Sequence, residues 1–387
     1  MDLRPHIAGL PGSKIREVAN AGLGRSDVLP FWFGESDEVT PEAVRQAAAE
    51  SLARGETFYS HNLGLAELRE ALRTYLAGLH GDPGPERIAV TSSGVSALMI
   101  ATQLLVAAGD EVVVVVPVWP NLPAQPAILG ANVRRVALAP DERGAWRLDL
   151  QQLLDAVTPS TRVLLLNAPN NPTGWTLTRD EQQALLAHCR RTGTWIIADE
   201  VYDRVWFGGA DGEVAPSFLD IAAPDDRLVV VGSFSKAFLM TGWRLGWLVV
   251  PRPCLDTVAK LAEFNSSCAP VFVQRGALAA LAMADGFVPG LVARLRAGRD
   301  ALVPALAALP GVQLACPLGG MYAWFRAPGA GDSLAFAKRL VAEQGLGLAP
   351  GVAFGPEGEG WLRWCFASRD TARLGEGVAR LARALAA

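Results

Sequence analysis

Short apolar runs of strand length alternate with amphipathic stretches from about residue 87 to residue 250. Arg87–Thr91, Glu111–Pro117, Asn132–Leu138, Thr161–Asn167, Thr194–Asp199, Leu228–Ser233 and Leu245–Val250 are the expected strands. Val112–Val116 and Val163–Leu166 are apolar without alternation, as in strands covered by helices on both faces. Val95–Ala108, Leu148–Ala156 and Arg179–Thr192 are the expected helices between them. The pattern predicts an α/β fold whose large domain is a mostly parallel, doubly wound, seven-stranded sheet. After about residue 285 the pattern changes to a long helix (Phe287–Ala308), strands at Val312–Ala315 and Met321–Phe325, a helix (Ser333–Gln344), a strand (Leu362–Phe366) and a last helix (Thr371–Ala386). This predicts a smaller α+β domain.

Residues 1–45 read as a lead-in punctuated by Gly and Pro, with a short helix near Ser13–Ala21, and are expected to pack with the small domain. The expected division is therefore 1–45, 46–285 and 286–387. Thr40-Pro41-Glu42-Ala43 predicts a helix capped by the Thr40 hydroxyl and running to about Ala53. Leu65–Leu79 predicts an amphipathic helix.

Half of the 387 residues are hydrophobic and 19% are charged, enough apolar material for a sizeable core. The net charge of −4 offers no basic face for nucleic acid. No apolar run approaches the roughly 20 residues of a membrane span, and the N-terminus has no secretory apolar segment. Five scattered cysteines and four scattered histidines have no metal-ligand spacing. Core thiols without pairing fit a reducing compartment, and a cytoplasmic location is expected.

In a doubly wound sheet, ligands sit outside the carboxyl ends of the strands. Here those ends carry chemistry. Ser92-Ser93-Gly94-Val95 opens a helix, whose N-terminal N–H groups attract an anion. Trp119 offers a flat ring. Asn170-Asn171-Pro172 offers an amide set by a rigid turn. Asp199, after Trp-Ile-Ile-Ala, is expected to be buried and to need a cationic partner, such as a protonated pyridine nitrogen, and Tyr202 follows it by three residues. Ser233-Phe234-Ser235-Lys236 and Arg244 combine a desolvated amine, suited to carbonyl chemistry, with a phosphate grip. Lysine beside a phosphate site points to pyridoxal phosphate. Each piece alone also has an ordinary reading, as turn chemistry, a packed tryptophan or a solvated lysine; their shared position decides.

Taken together, the chain resembles the class I/II, fold-type I pyridoxal-phosphate-dependent aminotransferases over nearly its whole length. The resemblance is carried by Asn171-Pro172-Thr173-Gly174, Asp199-Glu200-Val201-Tyr202, Ser233-Phe234-Ser235-Lys236, Gly242-Trp243-Arg244-Leu245-Gly246, Gly319-Gly320-Met321-Tyr322 and Leu362-Arg363-Trp364. Gly34-Glu35-Ser36-Asp37, with serine where the family has proline, and Tyr59 with Gly64–Arg69 add to it.

The resemblance implies that Lys236 forms the internal aldimine and shuttles the substrate proton. It implies that Asp199 pairs with the pyridinium, Asn171 and Tyr202 bond the ring oxygen, and Trp119 stacks on the ring. Gly94, Val95, Ser233, Ser235 and Arg244 would hold the phosphate, with Tyr59 from a neighbouring subunit of a homodimer. Arg363 would bind the α-carboxylate of an amino acid or 2-oxo acid, with Asn171 and Gly34 beside it. The implied activity is ping-pong transfer of the amino group of an L-α-amino acid to a 2-oxo acid. A C–S β-lyase or decarboxylase on the same fold would share these residues. No second arginine for a side-chain carboxylate is evident, and Phe31, Trp32, Phe33 and Trp119 are expected to form an aromatic mouth favouring apolar or aromatic substrates.

Overall fold

Residues 4–210 and 212–386 are described by a computed structural model of the protein; the first three residues of the N-terminal lead-in lie outside them. Seven strands form the main sheet: β1 (Ile88–Thr91), β2 (Glu111–Val116), β3 (Asn132–Ala137), β4 (Thr161–Asn167), β5 (Trp195–Asp199), β6 (Leu228–Ser233) and β7 (Gly246–Val249). Their spatial order is β1-β7-β6-β5-β4-β2-β3. Only β7 runs antiparallel to its neighbours.

Alternate residues of each strand enter different cores. Val113, Val115, Leu164, Leu166 and Ile196 face one core; Val112, Val114, Val116, Val163, Leu165 and Ile197 face the other. The second core is closed by Ala97, Leu98, Ile100 and Ala101 of the helix Gly94–Leu105 and by Leu255, Val258 and Ala262 of the helix Leu255–Ser266. Burial on both faces explains the unbroken valine and leucine runs.

The smaller sheet holds β8 (Gln313–Leu314), β9 (Tyr322–Arg326), β10 (Ala349–Pro350) and β11 (Trp361–Cys365) in the order β8-β9-β11-β10, all antiparallel. The lead-in packs with it, as expected. Leu29–Pro30 pairs in parallel with Leu346–Gly347. The Asp37 carboxylate accepts from Ser368 Oγ (2.6 Å), the Arg369 N–H (2.7 Å) and Arg373 Nη1 (2.5 Å).

Several expectations are corrected. Thr40 does not cap its helix. Glu42–Ala53 is preceded by Pro41 without a side-chain cap, because the buried Thr40 hydroxyl donates to the Leu239 carbonyl (2.6 Å) and accepts from Trp243 Nε1 (2.9 Å). The helices Asn121–Ile128, Leu255–Ser266 and Val271–Ala282 lay outside the expected set. Pro126 inside the first masks its helical pattern. Of the five free thiols, Cys189 and Cys365 are buried, Cys254 and Cys268 are half-buried, and Cys316 is exposed. Among the described residues, no single helix is long and apolar enough to cross a membrane.

Two of the four aromatic mouth residues belong to the core instead. Phe31 lies against Trp364, with ring centroids 5.1 Å apart. The Trp32 ring fills a slot lined by Gly22 and Gly347, where an added Cβ would stand 2.7 and 2.2 Å from it. The Leu29–Pro30 pairing draws these rings into the small domain, leaving Phe33 and Trp119 half-buried. Trp32→Ala is therefore expected to cost about 3–5 kcal/mol, read as a lower midpoint of chemical denaturation; an unchanged midpoint would show that the slot contributes nothing.

Candidate active site

The site begins with the odd strand of the main sheet. Gly246 of β7 lies opposite Thr91 of β1 on one side and Ser233 of β6 on the other. This brings together the three segments after, after and before those strands. A Cβ at Gly246 would meet the Gly94 nitrogen at 2.5 Å and the Gly232 oxygen at 2.8 Å, so only glycine permits the approach. The helix Gly94–Leu105 starts here, capped by Ser93, whose Oγ accepts from the Ser96 N–H at 2.9 Å. The first N–H groups of a helix have no partner within it, and Gly94 and Val95 supply them.

Ser233 Oγ donates to Ser235 Oγ at 2.9 Å, and both serines are buried. Arg244 takes a left-handed backbone conformation (φ 55°), and its Nη1 donates to the Thr241 carbonyl at 2.5 Å. N–H groups, hydroxyls and a guanidinium at one corner suit a phosphate.

The next strand ends are tied to one another. The Trp119 N–H donates to the Asn171 carbonyl at 2.8 Å. Asn167, opposite Asp199 in the ladder, accepts from the Asn171 N–H at 2.8 Å through Oδ1 and donates to the Asp199 carbonyl at 3.1 Å through Nδ2.

Asp199 is 2% exposed, and its carboxylate has one long bond, 3.4 Å, from the Val201 N–H. Burial pushes it up to about 7, opposed by that N–H and the Lys236 charge. The turn that carries it is braced from below. Glu200 accepts from Ser217 Oγ (2.5 Å) and the Phe218 N–H (2.9 Å). Beside it, His80 Nδ1 bonds Asp220 at 2.9 Å. Burial would lower the His80 pKa, but bonds to Asp203 and Asp220 hold it up at about 10.

Lys236 Nζ donates to the Gly34 carbonyl at 2.6 Å and stands 5.6 Å from the centre of the Tyr202 ring. Burial pulls it down to about 8; Arg363 and Arg244 push the same way, while Cys365 and Glu35 push back. A larger neutral fraction makes the amine a better nucleophile near neutral pH.

The smaller sheet supplies the roof. Arg363 of β11 is 2% exposed. It donates through Nη1 to Asn171 Oδ1 (2.9 Å) and through Nη2 to the Trp32 carbonyl (2.5 Å). Its buried Nε has no partner among the described residues. The guanidinium lies between the rings of Tyr322 (4.3 Å) and Phe354 (4.8 Å). Tyr322 of β9 shares a hydrogen bond of 2.6 Å with Tyr202, hydroxyl to hydroxyl.

Gly34, Gly94, Val95, Trp119, Asn171, Asp199, Tyr202, Ser233, Ser235, Lys236, Arg244 and Arg363 thus lie along one edge of the sheet and its roof. Tyr59 does not join them within the chain: it is 88% exposed. Tyr322 was singled out only as the end of Gly319-Gly320-Met321-Tyr322 and not as a site residue, and Phe354 was not singled out at all; their partners are 120 and 9 residues away in sequence.

The polar groups are unbalanced in a telling way. Among the described residues, Asp199 has no cation at ion-pair distance, and Arg363 has no carboxylate. Buried charges need partners, so the site is shaped for a ligand with a cationic centre at one place and anionic groups at two others.

The chain is similar to known proteins over nearly its whole length. Residues 27–381 match the model of the family "Aminotransferase class I and II". An aspartate aminotransferase of Musicola paradisiaca is 33% identical over 86% of this chain and 83% of its own. An aromatic-amino-acid aminotransferase of Thermococcus litoralis is 29% identical over 95% of this chain and 94% of its own. The solved structure of a Thermus thermophilus aspartate aminotransferase mutant superposes with a TM-score of 0.90 at 30% identity, covering all of both chains. The chain belongs to the class I and II aminotransferases, a family of pyridoxal-phosphate-dependent transaminases.

Proposed function

We propose that this aminotransferase works with pyridoxal phosphate held at the strand ends and Lys236 as its reacting amine, cycling by a ping-pong mechanism between an L-α-amino acid and a 2-oxo acid. The observation that carries the reading is the pair of unmatched buried groups, Asp199 and Arg363, whose charges both act on a depressed lysine. Bound there, the cofactor supplies an aldehyde carbon and an electron-accepting ring.

The chain's own groups do the rest. The Asp199 carboxylate would hold a proton on the ring nitrogen. Asn171 and Tyr202 would bond the ring oxygen, with Trp119 beside the ring. Gly94 and Val95 N–H groups, Ser233, Ser235 and Arg244 would hold the phosphate. Arg363, steadied by Asn171 and the Trp32 carbonyl, takes the α-carboxylate next to Gly34. Lys236 Nζ is the base that would take the proton from the substrate Cα and later return one. Donor and acceptor share the same carboxylate, so one place serves both in turn.

We propose further that the enzyme is a homodimer, in which Tyr59 of the partner subunit completes the phosphate site. The support is the exposure of Phe58 and Tyr59, 83% and 88%, at an open cleft that they line with Cys268, Pro270 and Phe272. This cleft, of about 450 Å³, shares Phe272 with a second of about 540 Å³. Exposed aromatic patches of this kind mark interaction surfaces. The five free thiols favour a reducing, cytoplasmic setting. The proposed division of the chain stays near residues 45 and 285.

Purified enzyme with bound cofactor is expected to absorb in the visible, and Lys236→Ala to lose both that band and transamination; retained activity would exclude the lysine role. Uptake of pyridoxal phosphate by cofactor-free protein should accelerate with pH about a midpoint near 8, since only the neutral amine attacks; a rate flat from about pH 7 to about pH 9 would contradict the depressed amine. Arg363→Ala should raise KM for amino acids by an amount equivalent to roughly 1.5–3 kcal/mol, the value of a charge-assisted hydrogen bond; an unchanged KM would remove Arg363 from the carboxylate site. A panel of amino donors, aspartate and aromatic ones included, read against pyruvate and 2-oxoglutarate, identifies the substrate. Release of ammonia or carbon dioxide instead of oxo-acid exchange would favour lyase or decarboxylase chemistry.

A further inference from the structure

We propose that Tyr322 is a positioning residue that couples the two ends of this site: its hydroxyl donates to Tyr202 and turns the Tyr202 proton toward the cofactor, while its ring carries Arg363. The inference rests on the cofactor reading above and adds a residue and a hydrogen-bond direction to it.

Three contacts place Tyr322 between the ring-oxygen end and the carboxylate end. Its oxygen lies 2.6 Å from the Tyr202 oxygen, both phenols being buried. Its ring lies 4.3 Å from the Arg363 guanidinium carbon. Its hydroxyl also stands where a side chain of Gly34 would begin, 2.0 Å from a Cβ built there. Gly34, whose carbonyl accepts from Lys236, is thus the residue that leaves room for this phenol.

The direction of the hydroxyl pair follows from charge. Each phenol has one proton to donate. The two rings are edge to face, 5.8 Å apart; Tyr322 has the Arg363 cation 4.3 Å from its ring centre, while Tyr202 has only Lys236, farther off at 5.6 Å and with its charge weakened by burial. A neighbouring positive charge stabilises the phenolate and makes the hydroxyl a stronger acid, hence a stronger donor. Tyr322 therefore donates and Tyr202 accepts. Tyr202 then cannot spend its own proton on Tyr322, and an accepted hydrogen bond strengthens the one it donates onward. With the cofactor bound, that onward bond would go to its ring oxygen and would favour negative charge there, so losing it should raise the pH at which the visible band changes.

The test uses the cofactor-loaded enzyme and its visible absorbance as a function of pH, with steady-state kinetics alongside. Tyr322→Phe keeps the ring and removes the hydroxyl. The pH midpoint of the visible band should rise by about half a unit to one unit, the size of one neutral hydrogen bond. Meanwhile kcat should fall several-fold, and KM for the amino acid should stay within about twofold, since the ring still carries Arg363. Tyr322→Leu should raise the midpoint equally and also raise KM about tenfold, as Arg363 loses its aromatic face. Gly34→Ala, which pushes the phenol away, should reproduce the raised midpoint with Tyr322 intact. In a Tyr202→Phe background, Tyr322→Phe should add no further shift.

An unshifted midpoint in Tyr322→Phe, or a shift that adds in full to that of Tyr202→Phe, overturns the proposal while leaving the cofactor reading intact. A wild-type protein that forms no visible band with pyridoxal phosphate overturns that reading, and this inference with it.

Discussion

A sheet buried on both faces leaves its strand ends as the only places where polar groups can meet a ligand. Val112 to Val116 and Val163 to Leu166 send alternate side chains into two separate cores, and neither core admits an unpaired polar group cheaply. The candidate site residues accordingly follow the strands, at Gly94, Trp119, Asn171, Asp199 and Ser233 to Lys236. The antiparallel β7 adds the last element, because its first residue, Gly246, sits between β1 and β6 at the same edge. Arg244 then arrives at the corner where the helix Gly94–Leu105 begins.

The site's electrostatics come from burial more than from pairing. Asp199 is pushed up and Lys236 pulled down by the same cause, removal from water. Neither change would persist if the groups could pair with one another: Lys236 instead donates to the Gly34 carbonyl, and Asp199 receives one distant N–H. The ionic brace behind the turn, His80 with Asp203 and Asp220, lies on the far side and is internally matched. Matched charges hold the turn, and Asp199 above it is left unmatched.

The roof is a second sheet with a different task. Register places Tyr322 opposite Cys365 and Trp324 opposite Arg363, so Arg363 and Cys365, two apart on β11, share a face. Arg363 is held by a large-domain amide, a lead-in carbonyl and two aromatic rings at once. Three parts of the chain, far apart in sequence, meet at one guanidinium.

Much of this was legible in the chain alone. Thr161–Asn167, Leu228–Ser233, Arg179–Thr192 and Ser333–Gln344 have the expected bounds, because strand burial on both faces and helix caps such as Thr178 and Asp332 are written locally. The strand-end residues were readable for the same reason: their position follows from the strands. What could not be read were the partners. Thr40 looked like a cap and became a buried hydroxyl between Leu239 and Trp243, and Trp32 looked like a mouth and became a core ring, both through contacts about 200 or more residues away in sequence. Tyr322 stood in a recognisable Gly-Gly-Met-Tyr motif, but its place in the site could not be read from it, because its chemistry comes from Tyr202 and Arg363. Local pattern determined the elements and the groups at their ends; packing between the two sheets decided which of those groups touch, because hydrogen-bond partners are chosen by distance in space and not by distance along the chain.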